Sequence, residues 1–349
     1  MEFMGDNHWA ALAGLIGGGA LGLSSSIGRF CTLGAIEDAL YGDDYSRLRM
    51  WALALAVGIS GMFGLEALGL IDYSQSIYYT LKWNPLGSIV GGLMFGWGMA
   101  LAGNCGFGAL SRMAGGDLRS FIVAVVMAIS AYMAIGGPTA VLRDWLFPQV
   151  LHEGEMQGVA HLVGRWFDIG PLLPALAFAA ICAIWAFSGK TFRTSRTHIV
   201  WSIVVGLAII SGFWATNLIS VNGFDGITVE SLSYSAPLGE TLIYLMTWSG
   251  ATMNFGIGSV TGVLVGSAIG TKIKGRFRWE ACDDPRELGR SVFGAFIMGT
   301  GGVVALGCSI GQGLTGFSVL AYSAPVVLAS IFIGAAFGLR YLIHGFQKV

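Results

Sequence analysis

The sequence predicts an all-α polytopic membrane protein, and three observations carry that expectation. The 349-residue chain holds only 19 Lys and Arg and 20 Asp and Glu, 11% charged, where a water-soluble domain carries roughly 25%. Hydrophobic residues make up 54%, with a mean hydropathy of +0.70. Apolar windows also recur along the whole chain at the length a bilayer core asks of a helix, ~20 residues. A formal net charge of −1 without a basic run argues against a nucleic-acid partner. Five cysteines without CxxC spacing argue against a disulfide framework, a zinc site or a thioredoxin-type dithiol.

Taken in order, the windows fall near 9–27, 51–71, 86–103, 119–138, 170–188, 199–219, 251–270, 291–307 and 317–339, which predicts nine spans in a single transport domain, 1–349. No Lys or Arg precedes the first, so it lacks the basic flank of a cleaved signal peptide and is expected to stay. The apolar piece at 240–249 is too short to span and reads as a partial or re-entrant helix. Short loops rich in Lys and Arg stay on the cytoplasmic side. Those loops hold Arg47 and Arg49, Arg112 and Arg119, Lys190, Arg193 and Arg196, then Lys272, Lys274, Arg276, Arg278, Arg286 and Arg290; the tail adds Arg340 and Lys348. The alternate segments carry acids: Asp6, Asp72, Asp144, Glu153, Glu155, Asp225 and Glu230. The pattern predicts an N-terminus outside and a C-terminus inside.

Glycine is in surplus, 54 residues, inside apolar stretches and without a three-residue period. Self-comparison gives the surplus an order. A shift of 74 superposes Gly17, Gly18, Gly22, Cys31, Gly34 and Asp43 on Gly91, Gly92, Gly96, Cys105, Gly108 and Asp117. A shift of 203 superposes Ser88, Gly91, Gly96, Gly98, Cys105 and Gly108 on Ser291, Gly294, Gly299, Gly301, Cys308 and Gly311. Tyr-Ser-Ala-Pro recurs at 234–237 and 322–325, a shift that sets Ser220 where Cys308 stands. The expected unit is a glycine-rich helix, a Cys-x-x-Gly break and another helix, in pseudo-symmetric halves of roughly 1–190 and 199–349. Gly258, Gly262, Gly266 and Gly270 form a close-packing stripe of the kind that lets helices meet in lipid. Helix breaks inside a membrane are tolerated only where they are buried or line a cavity, and repeated ones point to a transport site.

Three of the five cysteines, Cys31, Cys105 and Cys308, sit at such breaks; Cys182 and Cys282 do not and read as inert. A cysteine at a break serves as metal ligand, redox partner, nucleophile or thiol hydrogen-bonder. The first three chemistries favour thiolate, which nearby positive charge promotes, and Arg29 is the only close cation in these loops. Apolar surroundings keep a thiol neutral. A neutral thiol is a soft, weak donor that contacts a polarisable sulfur without repelling an anion, and bare N–H groups at helix N-termini favour an anion. Asn104, Ser309 and Gln312 flank the breaks and read either as oxygen-binding groups or as helix caps, with capping favoured for Asn104. Asp43 and Asp117 read as turn or cap residues. Glu66 is the one acid well inside a predicted span, a functional candidate by position that its place near the span's end also fits to an interfacial role. Scattered histidines show no ligand spacing, so no metal or other cofactor is called for, and the absence of a Walker A segment argues against ATP as the direct energy source.

The segments Gly28-Arg-Phe-Cys31, Gly103-Asn-Cys-Gly-Phe-Gly108 and Gly307-Cys-Ser-Ile-Gly-Gln-Gly313, with Met-Asn-Phe-Gly ahead of the Gly258–Gly270 stripe, resemble the signature segments of the YeeE/YedE sulfur-transport family. The resemblance implies a bacterial inner-membrane importer, not an enzyme, hourglass-shaped, that hands thiosulfate or a related sulfur anion between thiols by S–H···S contacts. Carried over position by position, it nominates Cys31, Cys105 and Cys308 as the pathway, with Arg29, Gly103, Asn104, Gly106, Gly108, Gly307, Ser309, Gly311 and Gln312 around it. It also implies a small TusA-type sulfur-carrier protein as cytoplasmic recipient. Two other readings keep the membrane setting: a transporter of another sulfur or selenium compound, or a membrane sulfurtransferase that passes sulfur covalently from a cysteine.

Overall fold

A computed structural model describes residues 5–152, 154–223, 226–282 and 284–346; Glu153, Asp225 and Lys348 of the charge pattern lie outside the described residues. The described residues form helices and turns with no strand. The elements that frame the site are α1 (Asp6–Ser26), α2 (Thr32–Tyr41), α3 (Ser46–Ala67), α4 (Pro85–Ala102), α5 (Gly106–Met113), α6 (Leu118–Gly136), α7 (Leu172–Phe187), α8 (Arg196–Asn222), α9 (Ala236–Met246), α10 (Phe255–Ile273), α11 (Pro285–Val304), a π-helical turn (Gly311–Gly316) and α12 (Ser323–Phe346).

Each of the nine apolar windows carries a helix. Seven described helices are long and apolar enough to cross a bilayer: α1, α3, the α4–α5 unit, α6, α8, α10 and α12. The other two differ for physical reasons. With 16 residues, α7 reaches about 24 Å at 1.5 Å per residue, less than a bilayer core. The 20-residue α11 opens on Arg286, Glu287 and Arg290 and so starts polar. As expected, the 240–249 piece belongs to a helix too short to span, the 11-residue α9. The last apolar window begins earlier than its helix, because 311–322 is spent on the π-turn and the turn that follows it.

Side chains written into the sequence start these helices. Asn84, Asp117, Asn254 and Asp284 each accept from a backbone N–H in the first turn, at 3.0, 3.2, 2.9 and 2.8 Å, satisfying donors that have no intrahelical partner. Pro85 and Pro285 follow two of these caps at a position where the missing N–H costs nothing. The two Tyr-Ser-Ala-Pro segments play one structural role, since each opens a helix, α9 and α12. The shift that pairs them misleads at Ser220, which lies inside the unbroken α8.

Glycine governs how the helices meet. On α10, Gly258, Gly262 and Gly266 press against the backbone carbonyls of Ala11, Leu15 and Gly19, while Gly14, Gly18 and Gly22 of α1 press back against Phe255, Ser259 and Val263. A Cβ at any of these positions would collide with backbone, which no rotamer change relieves. The α4–α11 crossing is reciprocal. A Cβ on Gly91 would lie 2.8 Å from the Gly301 carbonyl and one on Gly301 2.8 Å from that of Gly91; Gly98 and Gly294 face each other likewise, at 2.5 and 2.7 Å.

All three predicted breaks are breaks in the fold. The left-handed turn residue is a glycine at one of them and includes side-chain-bearing residues at the other two. Gly103 takes the left-handed region at the first residue past α4 (φ 79°), as a glycine should. At the other two breaks the left-handed residues include Arg29 (φ 59°) and Leu306 (φ 58°), the latter beside Gly307 (φ 153°). Holding a Cβ-bearing residue there costs of order 1–3 kcal/mol, which surrounding packing must offset.

Candidate functional site

The Cys-x-x-Gly spacing has a specific local meaning. Cys31 is the N-cap of α2 and Cys105 the N-cap of α5; their sulfurs accept from the N–H of Gly34 at 3.5 Å and of Gly108 at 3.4 Å. Cys308 opens the turn into the π-helix in the same way, accepting from Gly311 N–H at 3.3 Å and from Tyr234 N–H at 3.3 Å. Serine or aspartate is the usual residue for such a position, and sulfur is a weak acceptor. These bonds use the sulfurs as acceptors, so they do not themselves consume the S–H donors. Glycine at the third position also leaves room: a Cβ on Gly34 would strike the Arg47 guanidinium, and one on Gly311 would lie 2.5 Å from Ser233 Oγ.

The three turns, spread over 277 residues from Cys31 to Cys308, converge in space. Cys105 is within electrostatic reach of both Cys31 and Cys308 and within hydrogen-bonding reach of the Ser309 hydroxyl. Thr32 beside Cys31 donates to that same Ser309 oxygen at 3.1 Å. Cys105 and Cys308 are each 1% exposed, whereas Cys31 is only partly buried. Two tyrosines close the assembly. Tyr78 donates to the Gly311 carbonyl at 2.6 Å, and the buried Tyr234 ring lies 5.5 Å from that of Phe107.

Two cavities flank the convergence. The first, about 510 Å³, is lined by Cys31, Gly34, Gly108 and five arginines, Arg29, Arg47, Arg112, Arg276 and Arg278, with Glu37, Asp117 and Glu280 among them. Its arginines arrive from separate parts of the chain. Arg47 is held by Asp38 at 3.1 Å. The 276–280 segment is pinned to the turn before α6 by Arg278 N–H to Gly115 O (3.1 Å), Glu280 N–H to Gly116 O (3.1 Å) and Leu118 N–H to Glu280 O (3.1 Å). Burial raises the Glu37 carboxyl above its usual range, against the opposing pull of Arg112. The second cavity, about 320 Å³, is lined by Tyr78, Glu230, Ser231, Ser233, Ser235, Glu240 and Gly307, with Arg143 among its lining residues. Glu230 lies in the extended segment between α8 and α9, where burial, with the charge of Glu240 adding to it, pushes its carboxyl up to about 8.

The remaining predicted residues divide clearly. Arg29, Gly108, Gly307, Ser309 and Gly311 join the cysteines. Gly106 backs the site from behind, against the Met127 sulfur. Gln312 is fully committed to structure: its Nε2 donates to the carbonyls of Ala305 (2.9 Å) and Leu306 (3.2 Å), and its Oε1 accepts from Ser323 (3.1 Å), which ties the end of α11 to α12. Asn104 is not a cap, because Cys105 holds that position; its Nδ2 donates to Ser120 at 2.9 Å and its buried Oδ1 has no partner among the described residues. Asp117, by contrast, is the cap of α6, as expected. Glu66 stands apart from the cysteines, accepting from Tyr73 Oη at 2.5 Å and lining a separate open cavity with His161, Arg165 and Asp168. Sequence reasoning missed Tyr78, Tyr234, Glu230, Glu240 and the four arginines besides Arg29 as parts of the site. The repeated Tyr-Ser-Ala-Pro pointed at Tyr234, and the basic loops had been read for topology alone.

The sequence pattern of the sulphur-transport family matches residues 27–337. The chain is 29% identical over 331 residues to a thiosulfate transporter, TsuA, of Spirochaeta thermophila, covering 91% of this chain and 94% of that protein. It is 28% identical over 347 residues to the thiosulfate transporter TsuA of Escherichia coli, covering 93% and 92%.

Proposed function

Because the chain belongs to the sulphur-transport family, a family of transporters and not enzymes, we propose that it imports thiosulfate, or a closely related sulfur anion, through the three cysteine turns. The single observation that carries this reading is the convergence of Cys31, Cys105 and Cys308, each with its sulfur fixed by a backbone N–H, between an arginine-lined and a serine-lined cavity. The anion travels from the second cavity past Cys308, then Cys105, then Cys31, and leaves among the arginines. At each step a neutral S–H donates to the terminal sulfur of the anion, while backbone N–H groups and the Ser309 and Thr32 hydroxyls face its oxygens. Neutral donors hold a dianion weakly at several successive points, the condition for passage instead of storage.

The arginine cavity is the cytoplasmic one on the positive-inside rule, since Arg47, Arg112, Arg276 and Arg278 all come from the Lys- and Arg-rich loops. This supports nine spans in a bacterial inner membrane, N-terminus outside and C-terminus inside, with α7 and α11 completing the count. The reciprocal Gly91–Gly301 and Gly98–Gly294 contacts are what a local two-fold axis between α4 and α11 generates, because the 203-residue shift equates Gly91 with Gly294 and Gly98 with Gly301. They support pseudo-symmetric halves within one domain. A TusA-type carrier is the natural recipient at the cytoplasmic mouth.

The test is uptake of radiolabelled thiosulfate, and thiosulfate-dependent growth, by cells relying on this protein. Cys105→Ala and Cys308→Ala are expected to cut uptake at least about tenfold and to abolish the growth, at normal membrane abundance. Full uptake by both variants would remove the thiol relay. Intact-mass measurement after thiosulfate exposure is expected to show no adduct of about 32 Da, the mark of covalent sulfur transfer.

A further inference from the structure

The serine-lined cavity presents two carboxylates to the route of an anion, which is poor chemistry unless one of them is neutral. Glu230 is fixed at its wall by Thr216, whose hydroxyl accepts from Glu230 N–H at 3.2 Å and donates to Glu230 O at 2.7 Å. Glu240 projects into the same cavity from α9, its Oε2 accepting from Asn254 Nδ2 at 2.7 Å. The charge of Glu240 acts on the buried Glu230 carboxyl and adds to the cost of ionising it. A third group points the same way. Ser235 Oγ lines the cavity, is 3% exposed and has no hydrogen-bond partner among the described residues. A buried hydroxyl without a partner is costly, and a protonated carboxyl or the water it carries supplies one.

We propose that Glu230 and Glu240, with Ser235, form a proton-binding site, and that the anion occupies the neighbouring cavity with useful affinity only when this site holds a proton. Only a carboxyl O–H bond forms, with the proton taken from the external water. Among the described residues, the other titratable or charged groups facing Glu230 are Tyr78 and Arg143 on the cavity wall, Tyr132 of α6 beside Glu240, and the Cys308 thiol beside Tyr78. Arg143 is committed to Asp144, to which its Nε donates at 3.1 Å. Among the described residues, α8 and α11 bring Thr216, Gly302 and Val303 to this region and no charge.

The inference rests on the thiosulfate reading above, and the test separates the two. KM for thiosulfate is measured in proteoliposomes against external pH, with the membrane potential clamped and sodium replaced by a large organic cation. The expected wild-type result is a KM that rises about tenfold between pH 7 and pH 9, because proton and anion binding are linked, while thiosulfate itself stays a dianion. Glu230→Gln is expected to transport with a KM flat across that range; Glu240→Gln serves as the second variant if the first is not inserted. Transport with a flat wild-type KM, a Glu230→Gln protein keeping the wild-type slope, or dependence on sodium instead of pH would each overturn the proton site and leave the importer intact. Absence of thiosulfate transport by wild-type protein both with sodium restored and without it would overturn the importer itself.

Discussion

The two cavities on either side of the cysteines are similar in scale and opposite in chemistry. One gathers five arginines around Cys31; the other presents three serines and two glutamates beside Gly307. An anion finds its long-range attraction on the arginine side and its close, hydrogen-bonding contacts on the serine side. On the route proposed above, the comparison teaches that most of the cations crowd one mouth, Arg143 alone lining the other cavity, and leave the cysteine turns to neutral donors that hold a dianion weakly enough to release it. The cysteines between repeat the contrast: Cys31 opens to the arginine cavity, while Cys105 and Cys308 are sealed.

The largest expected effect falls on the sealed pair. Cys105→Ala removes one donor from an anion, an interaction of ~1.5–3 kcal/mol, and is expected to lower uptake roughly 10- to 100-fold or more. Cys105→Ser keeps a hydroxyl donor but loses the soft sulfur; restored uptake in that variant would show that the relay does not need sulfur. Next in size is the difference in thiol reactivity. A water-soluble maleimide applied from the arginine side is expected to label Cys31 at least about tenfold faster than Cys105 or Cys308, as exposure dictates; equal rates would erase the asymmetry. Arg276→Gln with Arg278→Gln is expected to change transport several-fold at low salt and progressively less as ionic strength rises, since exposed charges are screened over ~8–10 Å. A salt-independent effect would mean that these arginines act by direct contact. The smallest effect is expected of Glu66→Gln. The Tyr73 hydroxyl still finds a carbonyl to donate to, so uptake within about twofold of wild type would confirm that the Glu66 cavity lies off the route, and a large loss would put it on.

Much of this was legible in the chain. The nine apolar windows all fall on helices, and the polar caps that start them are sequence signals: Asn84 with Pro85, Asp117, Asn254, Asp284 with Pro285. The glycine stripes announce helix pairs that meet backbone to backbone, although which helix faces which is not written in them. At the breaks, Cys-x-x-Gly fixes the capping hydrogen bond to sulfur by its spacing alone. Less legible were the residues that conform under duress. Arg29 and Leu306 take left-handed backbone beside glycines, the residues that adopt it at no steric cost, because tertiary packing overrides local preference. Gln312 reads as a substrate group until its donors and acceptor are found spent on α11 and α12. Asn104 reads as a cap until Cys105 is seen to occupy that place.

Sequence by itself therefore determined a helical membrane protein and the place of its breaks, with a cysteine at each of three, because composition, periodicity and short-range capping act within a few residues. Only the tertiary structure decided that Cys31, Cys105 and Cys308 meet, that arginines from separate loops share one cavity, and that Glu230, Glu240 and Ser235 share the other. Electrostatics and hydrogen bonding act through space. Their partners here lie up to hundreds of residues apart, at 32 and 309 or 47 and 278, where no local pattern in the chain connects them.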